Sequence, residues 1–228
     1  MQVLRLLALA PFLVLQDPAP EATTAEPPLR FRLTIGEEVI ELEEGHALRP
    51  RPEGPTYLLE ALPTRMLRVS GAFAFEYPRE FAFLGALGSR EGWCSVTGQT
   101  TMIHLQRHAE EPAEVVERYV QAAEGSGARN VRESAITLGG RTLTGRAFDQ
   151  HIGGLHGWEA EMVQEVYGFE QSGSGWLLMI QSTFEPAGQT HIEPLLVQLG
   201  VPQPPYPGQS AETGRALELL RTTFRFGD

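Results

Sequence analysis

Four strand-length segments in the second half of the chain follow one another too closely for any crossover. They are Val131 to Leu138, Arg141 to Gln150 after the Gly139-Gly140 pair, Ala160 to Glu170, and Trp176 to Thr183 after Gly173-Ser174-Gly175. Parallel neighbours need a connection of a dozen or more residues, whereas a two-residue glycine turn joins antiparallel ones. The segments therefore predict an antiparallel meander, and any fold for this chain has to be built around it.

Further strand patterns precede the meander. Leu29 to Ile35 and Val39 to Leu42 alternate about Gly36-Glu37 and predict a hairpin, and Tyr57 to Leu62 and Met66 to Val69 predict two short strands separated by Pro63. Phe73, Phe75 and Tyr77 alternate along an aromatic strand, followed by Phe81 and Phe83, Trp93 to Val96 and Thr101 to Gln106. Aromatic residues at period two face a core more often than they line a ligand groove.

The period changes to helical between Pro112 and Glu124, where Val115, Val116, Tyr119, Val120 and Ala123 share a face, with Pro112 in the first turn and Gly125 to Gly127 as the stop. A second short helix is predicted from Ile192, Leu195, Leu196 and Leu199, ended by the segment Pro202 to Pro207. A last one spans Glu212 to Thr222, with Ser210 placed to cap it.

The N-terminus has a different character. Arg5 precedes an apolar run from Leu6 to Leu15, then a Pro-rich stretch from Asp17 to Pro28. About 7 to 15 apolar residues behind a positive charge fit an export signal, and a membrane span needs about 20. Residues 1–22 are read as a signal peptide, 23–28 as a linker, 29–70 as an N-terminal β-region and 71–228 as the main domain. The predicted location is periplasmic or secreted, with no stable membrane insertion after the signal is removed.

Charge and composition remove whole classes of function. Acidic residues number 29 against 18 basic, a net charge of -11, which repels phosphate backbones and excludes nucleic acid as the expected partner. Every basic residue is Arg, so Schiff-base lysines, the Walker-A lysine and Ser-Lys dyads are all absent. No G-x-S-x-G elbow occurs, and Gly173-Ser174-Gly175 lacks the spacing of a dinucleotide loop. The single Cys94 cannot form an internal disulfide, and alternation through Trp93 to Val96 reads it as a small core residue.

One constellation carries coordination chemistry. Asp149, His151, His156, Glu159 and Glu161 surround Gly153, Gly154 and Gly157 in a predicted hairpin connection. Imidazole and carboxylate ligands suit Zn²⁺ or a similar metal, and Asp149, His151, His156 and Glu159 are the candidate ligands, although their spacing fits no established zinc motif. A solvated hairpin tip carrying incidental histidines is the other account. His104 and His108 read as strand-end residues, and His46 and His191 as loop residues.

An aromatic strand ending in Tyr77-Pro78, a helix, an antiparallel run and a last helix leading into Leu219 to Phe226 form an order that resembles the PsbP-like family over roughly Phe73 to Phe226. That family contains many exported bacterial proteins. The resemblance implies an α+β fold, a central antiparallel sheet flanked by helices on both faces, here with an N-terminal β-hairpin region added. It also implies a non-catalytic binding or accessory role; no cofactor is expected, and an acidic surface whose only basic residues are Arg suits a protein partner in the envelope through bidentate contacts. It transfers no functional residue. The alternative from a different class is a metal-binding protein or metal-dependent enzyme using the His151 and His156 loop.

Overall fold

A computed structural model describes residues 24–35, 37–45, 57–88, 92–153, 159–184 and 210–227. The strands are β1 (Leu29–Ile35), β2 (Glu38–Glu43), β3 (Tyr57–Val69), β4 (Phe73–Pro78), β5 (Ala82–Ala86), β6 (Trp93–Thr97) and β7 (Thr101–His108). After helix α1 (Pro112–Gly125) come β8 (Arg129–Leu138), β9 (Arg141–Gly153), β10 (Glu159–Gln171) and β11 (Ser174–Phe184), then helix α2 (Ala211–Thr223) and β12 (Arg225–Phe226). The helix predicted over Ile192 to Leu199 lies outside the described residues.

The meander predicted from the glycine turns forms half of a seven-stranded sheet, ordered β5-β6-β7-β11-β10-β9-β8 and antiparallel throughout. Gly139 and Gly140 both take positive φ, +53° and +79°, the backbone a two-residue hairpin turn demands. A second sheet, ordered β12-β4-β3-β1-β2, gathers the N-terminal strands, the aromatic strand and the last strand of the chain. Pro63 interrupts no strand. It lies within β3 where the pairing with β1 slips between Arg65 and Ala61, a bulge at which its missing N–H breaks no ladder bond.

Two interiors follow from this arrangement. On one face of the large sheet, α1 lays Val115, Val116, Val120 and Ala123 on Phe148, Val166, Leu177 and Met179. The opposite face meets the second sheet through Phe73, Phe75 and Tyr77 of β4, packed with Trp176, Phe169, Tyr167 and Leu178, while Ala216, Leu217 and Leu220 of α2 fill in beside β4. Phe73 meets Trp176 edge-on at 4.9 Å between centroids and stacks with Phe224 at 5.6 Å.

This corrects the expected fold class. A central sheet flanked by helices is not what forms: the chain is mostly β, with two antiparallel sheets and, among the described residues, two helices. The reason lies in β4. The resemblance implies a single central sheet, but β4 pairs with β3 and β12, so the aromatic face becomes one wall of a sheet-on-sheet core in place of a helical layer.

Candidate functional site

The glycine-rich hairpin that the sequence singled out joins β9 to β10. Its register places His151 opposite Glu161, Gly153 opposite Glu159 and Asp149 opposite Val163. His151 Nδ1 lies 3.0 Å from Glu161 Oε1, on the face that carries Tyr167 and Phe169 but at its exposed end. Asp149 sits two residues along the same strand, but Arg132 Nη1 at 2.9 Å and Asn130 Nδ2 at 2.8 Å occupy its two carboxylate oxygens. Those two donors hold the Asp149 carboxyl below its ordinary range, against the opposing effect of partial burial. The fold thus brings His151 and Glu161 together and gives Asp149 to the neighbouring strand. His156 lies outside the described residues, and the side chain of Glu159 does as well. Among the described residues no three His, Cys, Asp or Glu side chains are grouped to hold a metal ion.

Register creates a contact that spacing alone could not show. Ser95 on β6 is opposite His104 on β7, and their side chains hydrogen-bond at 2.6 Å between Oγ and Nδ1, with Trp93 stacked on the imidazole. A hydroxyl against an imidazole is the start of a nucleophilic site. Here Ser95 is buried, and the third residue beside the ring is Gln106, an amide in place of a carboxylate. The pair is a closed polar contact within the sheet.

Burial lowers the His104 pKa from its ordinary 6.5 to about 4. The folded state therefore holds a neutral ring while the unfolded chain takes up a proton below pH 6.5. Stability is expected to be full above pH 6.5 and to fall by roughly 2–3 kcal/mol as pH drops toward 4. Thermal melts across that window check this, and His104→Gln removes the part of the slope due to this residue.

Cys94 points to the other face of β6, into the core between the sheets, and is 1% exposed. Burial pushes its thiol up to about 12, so it carries almost no thiolate at neutral pH. Iodoacetamide is expected to label the native chain far more slowly than the urea-unfolded chain, as read by mass spectrometry.

A polar cleft of about 430 Å³ opens where β7 meets the β10–β11 hairpin, lined by Arg107, His108, Glu110, Glu111, Glu170 and Ser174. Its charges are largely engaged. The Arg107 guanidinium lies over the Trp176 ring at 4.8 Å, and Glu110 accepts both Nη donors of Arg118, at 2.7 and 2.5 Å.

The surface feature that sequence reasoning passed over is the arm formed by β1, β2 and the first half of β3. None of the residues of β1 or β2 belongs to either buried cluster. One face of the arm is an apolar row of Phe31, Leu33, Ile35, Ile40, Leu42 and Leu59, aligned by the cross-strand register. On the other face, Val39 and Leu58 flank Thr34 directly. Val39, Leu58 and Leu59 are 57%, 54% and 53% exposed, so three of the five large exposed apolar side chains among the described residues lie at one end of the arm, Val39 and Leu58 on one face and Leu59 on the other. The arm is tied down at its other end. Arg30 on β1 donates to Glu76 of β4 and to Glu41 of β2, each at 2.6 Å, and Thr64 Oγ1 donates to Glu76 at 2.8 Å. The alternation that predicted the hairpin contained this surface, but which strands lie beyond the core is decided by pairing distant in sequence.

No helix among the described residues is long and apolar enough to cross a membrane. No protein-family model matches the chain, and no curated protein does. Among solved structures, similarity is found to LpqN of Mycobacterium tuberculosis, described as involved in cell envelope biogenesis. It has 12% identity, coverage of 93% of this chain and 88% of that one, and a TM-score of 0.31. PA94 of Pseudomonas aeruginosa, a protein of unknown function, shows 18% identity over 62% of this chain and 98% of its own, with a TM-score of 0.26. Superpositions this loose carry no argument about what the chain does.

Proposed function

We propose that the protein is an exported, non-catalytic binding or accessory factor that engages a protein partner through the distal end of the β1–β2–β3 arm. The observation that carries this reading is the exposure of Val39 and Leu58 on one face of that end and of Leu59 on the other, each more than half exposed, on strands whose other end is clamped by Arg30. Isolated apolar side chains on a surface are ordinary, whereas several exposed ones close together at one end of a sheet are a feature of interaction sites. Export is supported by the charged and apolar N-terminus, and a periplasmic or extracellular setting follows from it.

The test is a cross-linked pull-down of tagged protein from the envelope and medium fractions of its own cells, run beside a Leu58→Asp, Leu59→Asp variant whose fold is checked by circular dichroism. A partner recovered with the parent and lost with the variant is expected. A partner retained by the variant would move the binding surface elsewhere on the molecule. Recovery of the parent alone with stoichiometric metal would overturn the reading in favour of the His151 hairpin.

A further inference from the structure

We infer that the outer edge of β2 is the docking strand of this arm, and that its occupant is an extended segment of a partner protein alternating apolar and basic residues. The inference rests on the accessory-factor reading above and names the chemistry of the partner.

β2 ends the five-stranded sheet, with β1 on one side and no described strand on the other. The Glu44 N–H donates to the Leu29 carbonyl at 2.8 Å, which makes residues 29 and 44 a hydrogen-bonded pair. Pairing in an antiparallel ladder alternates, so Leu42, Ile40 and Glu38 bond toward β1, while the main chain of Val39 and Glu41 faces outward. Outward N–H and C=O groups on an edge are a template for an added strand.

The side chains define what can be added. Ile40 and Leu42 point to the apolar row that runs back through Phe31, Leu33 and Ile35, so a strand laid on this edge extends that row with its own apolar residues. On the opposite face Val39, Glu41 and Glu43 alternate with them, and Glu37, Glu38 and Glu44 add further carboxylates around the edge, with no basic residue between 37 and 44. Arg30 and Arg68 pair with Glu41 and Glu43 from within the sheet and Arg32 stands opposite Glu41 on the same face, so the excess of acid lies with Glu37, Glu38 and Glu44 at the two ends of the edge. A second copy of this chain is the wrong occupant, because antiparallel pairing of β2 with itself sets glutamates against glutamates. A strand with lysine or arginine on one face and apolar residues on the other satisfies the main chain, the apolar row and the charge together.

The experiment uses the full chain and two fluorescein-labelled octapeptides, one alternating valine with lysine and one alternating valine with glutamate, read by anisotropy at low salt. The lysine peptide is expected to bind and the glutamate peptide to fail. Val39→Pro keeps the net charge and removes an outward N–H that β1 does not use, and it is expected to weaken binding at least tenfold. Should Val39→Pro not fold, Glu38→Lys with Glu37→Lys makes the same demand through charge. Hydrogen exchange on the parent protein gives an independent reading: added peptide is expected to slow the Val39 and Glu41 amides and leave Ile40 unchanged.

Equal binding by Val39→Pro, or protection appearing elsewhere, would overturn the inference as non-specific attraction to an acidic protein. A dimer in sedimentation that Val39→Pro dissociates would assign the edge to a second copy and also overturn it. If the pull-down recovers a partner that Leu58→Asp, Leu59→Asp abolishes, while the lysine peptide does not bind and the Val39 and Glu41 amides are not slowed, the docking strand fails and the accessory-factor reading stands.

Discussion

Gly145→Ala is expected to lower stability by about 3–5 kcal/mol, or to leave the chain insoluble. Gly145 lies in β9, between Ser134 of β8 and Tyr167 of β10. A Cβ there falls on the Val166 carbonyl oxygen and 2.7 Å from the Tyr167 ring. Neither neighbour can give way. The carbonyl is part of a central ladder, and the Tyr167 hydroxyl is held by Ser134 at 2.8 Å and Glu165 at 3.0 Å. Differential scanning calorimetry is the direct check, with a fall in Tm of roughly 10 °C or more expected for a chain of this length. Gly125→Ala, where an added Cβ meets nothing within 4 Å, is the matched control and is expected to change stability by less than about 1 kcal/mol.

The second large effect is expected at Glu212. Its carboxylate sits in the first turn of α2 and accepts from the Gln99 N–H at 2.9 Å, the Thr100 N–H at 2.6 Å and the Thr100 hydroxyl at 2.8 Å. One side chain thereby closes the β6–β7 turn and fastens the helix to it, while Ser210 caps the same helix end by accepting from the Thr213 N–H. Glu212→Ala leaves two main-chain donors without their acceptor and removes a negative charge from a helix N-terminus, a loss of about 2–3 kcal/mol. Glu212→Gln keeps one acceptor oxygen and is expected to lose about half as much. Urea midpoints of the two variants, with unchanged slopes, check the order.

What could be read from the chain divides by the range of the interaction. The meander and α1 were legible because a glycine turn and a helical period are local signals, set within a few residues of Gly139-Gly140 and Val115. The second sheet was not. Phe73, Phe75 and Tyr77 announce a buried strand, but nothing near them states that the partners are β3 and a pair of residues at Arg225 and Phe226. Element order alone does not separate a sheet covered by helices from one covered by another sheet, and that is where the expected fold class failed. The candidate sites divide in the same way. Asp149 and His151 share a face of β9, but Arg132 reaches Asp149 from β8, whose register slips by a bulge just there, and no local signal shows that. Ser95 and His104 became neighbours only through the pairing of β6 with β7.

The two residues of β12 complete an edge whose other members are synthesised long before them. Phe224 immediately precedes them and wedges among Phe73, Phe75 and Phe169, so the inter-sheet core is closed by contacts between distant parts of the chain. Contacts so distant along the chain make folding slow, and a nascent chain lacking them keeps its aromatic strand exposed. A polypeptide of this design forms its local hairpins and helix first and closes its inter-sheet core last.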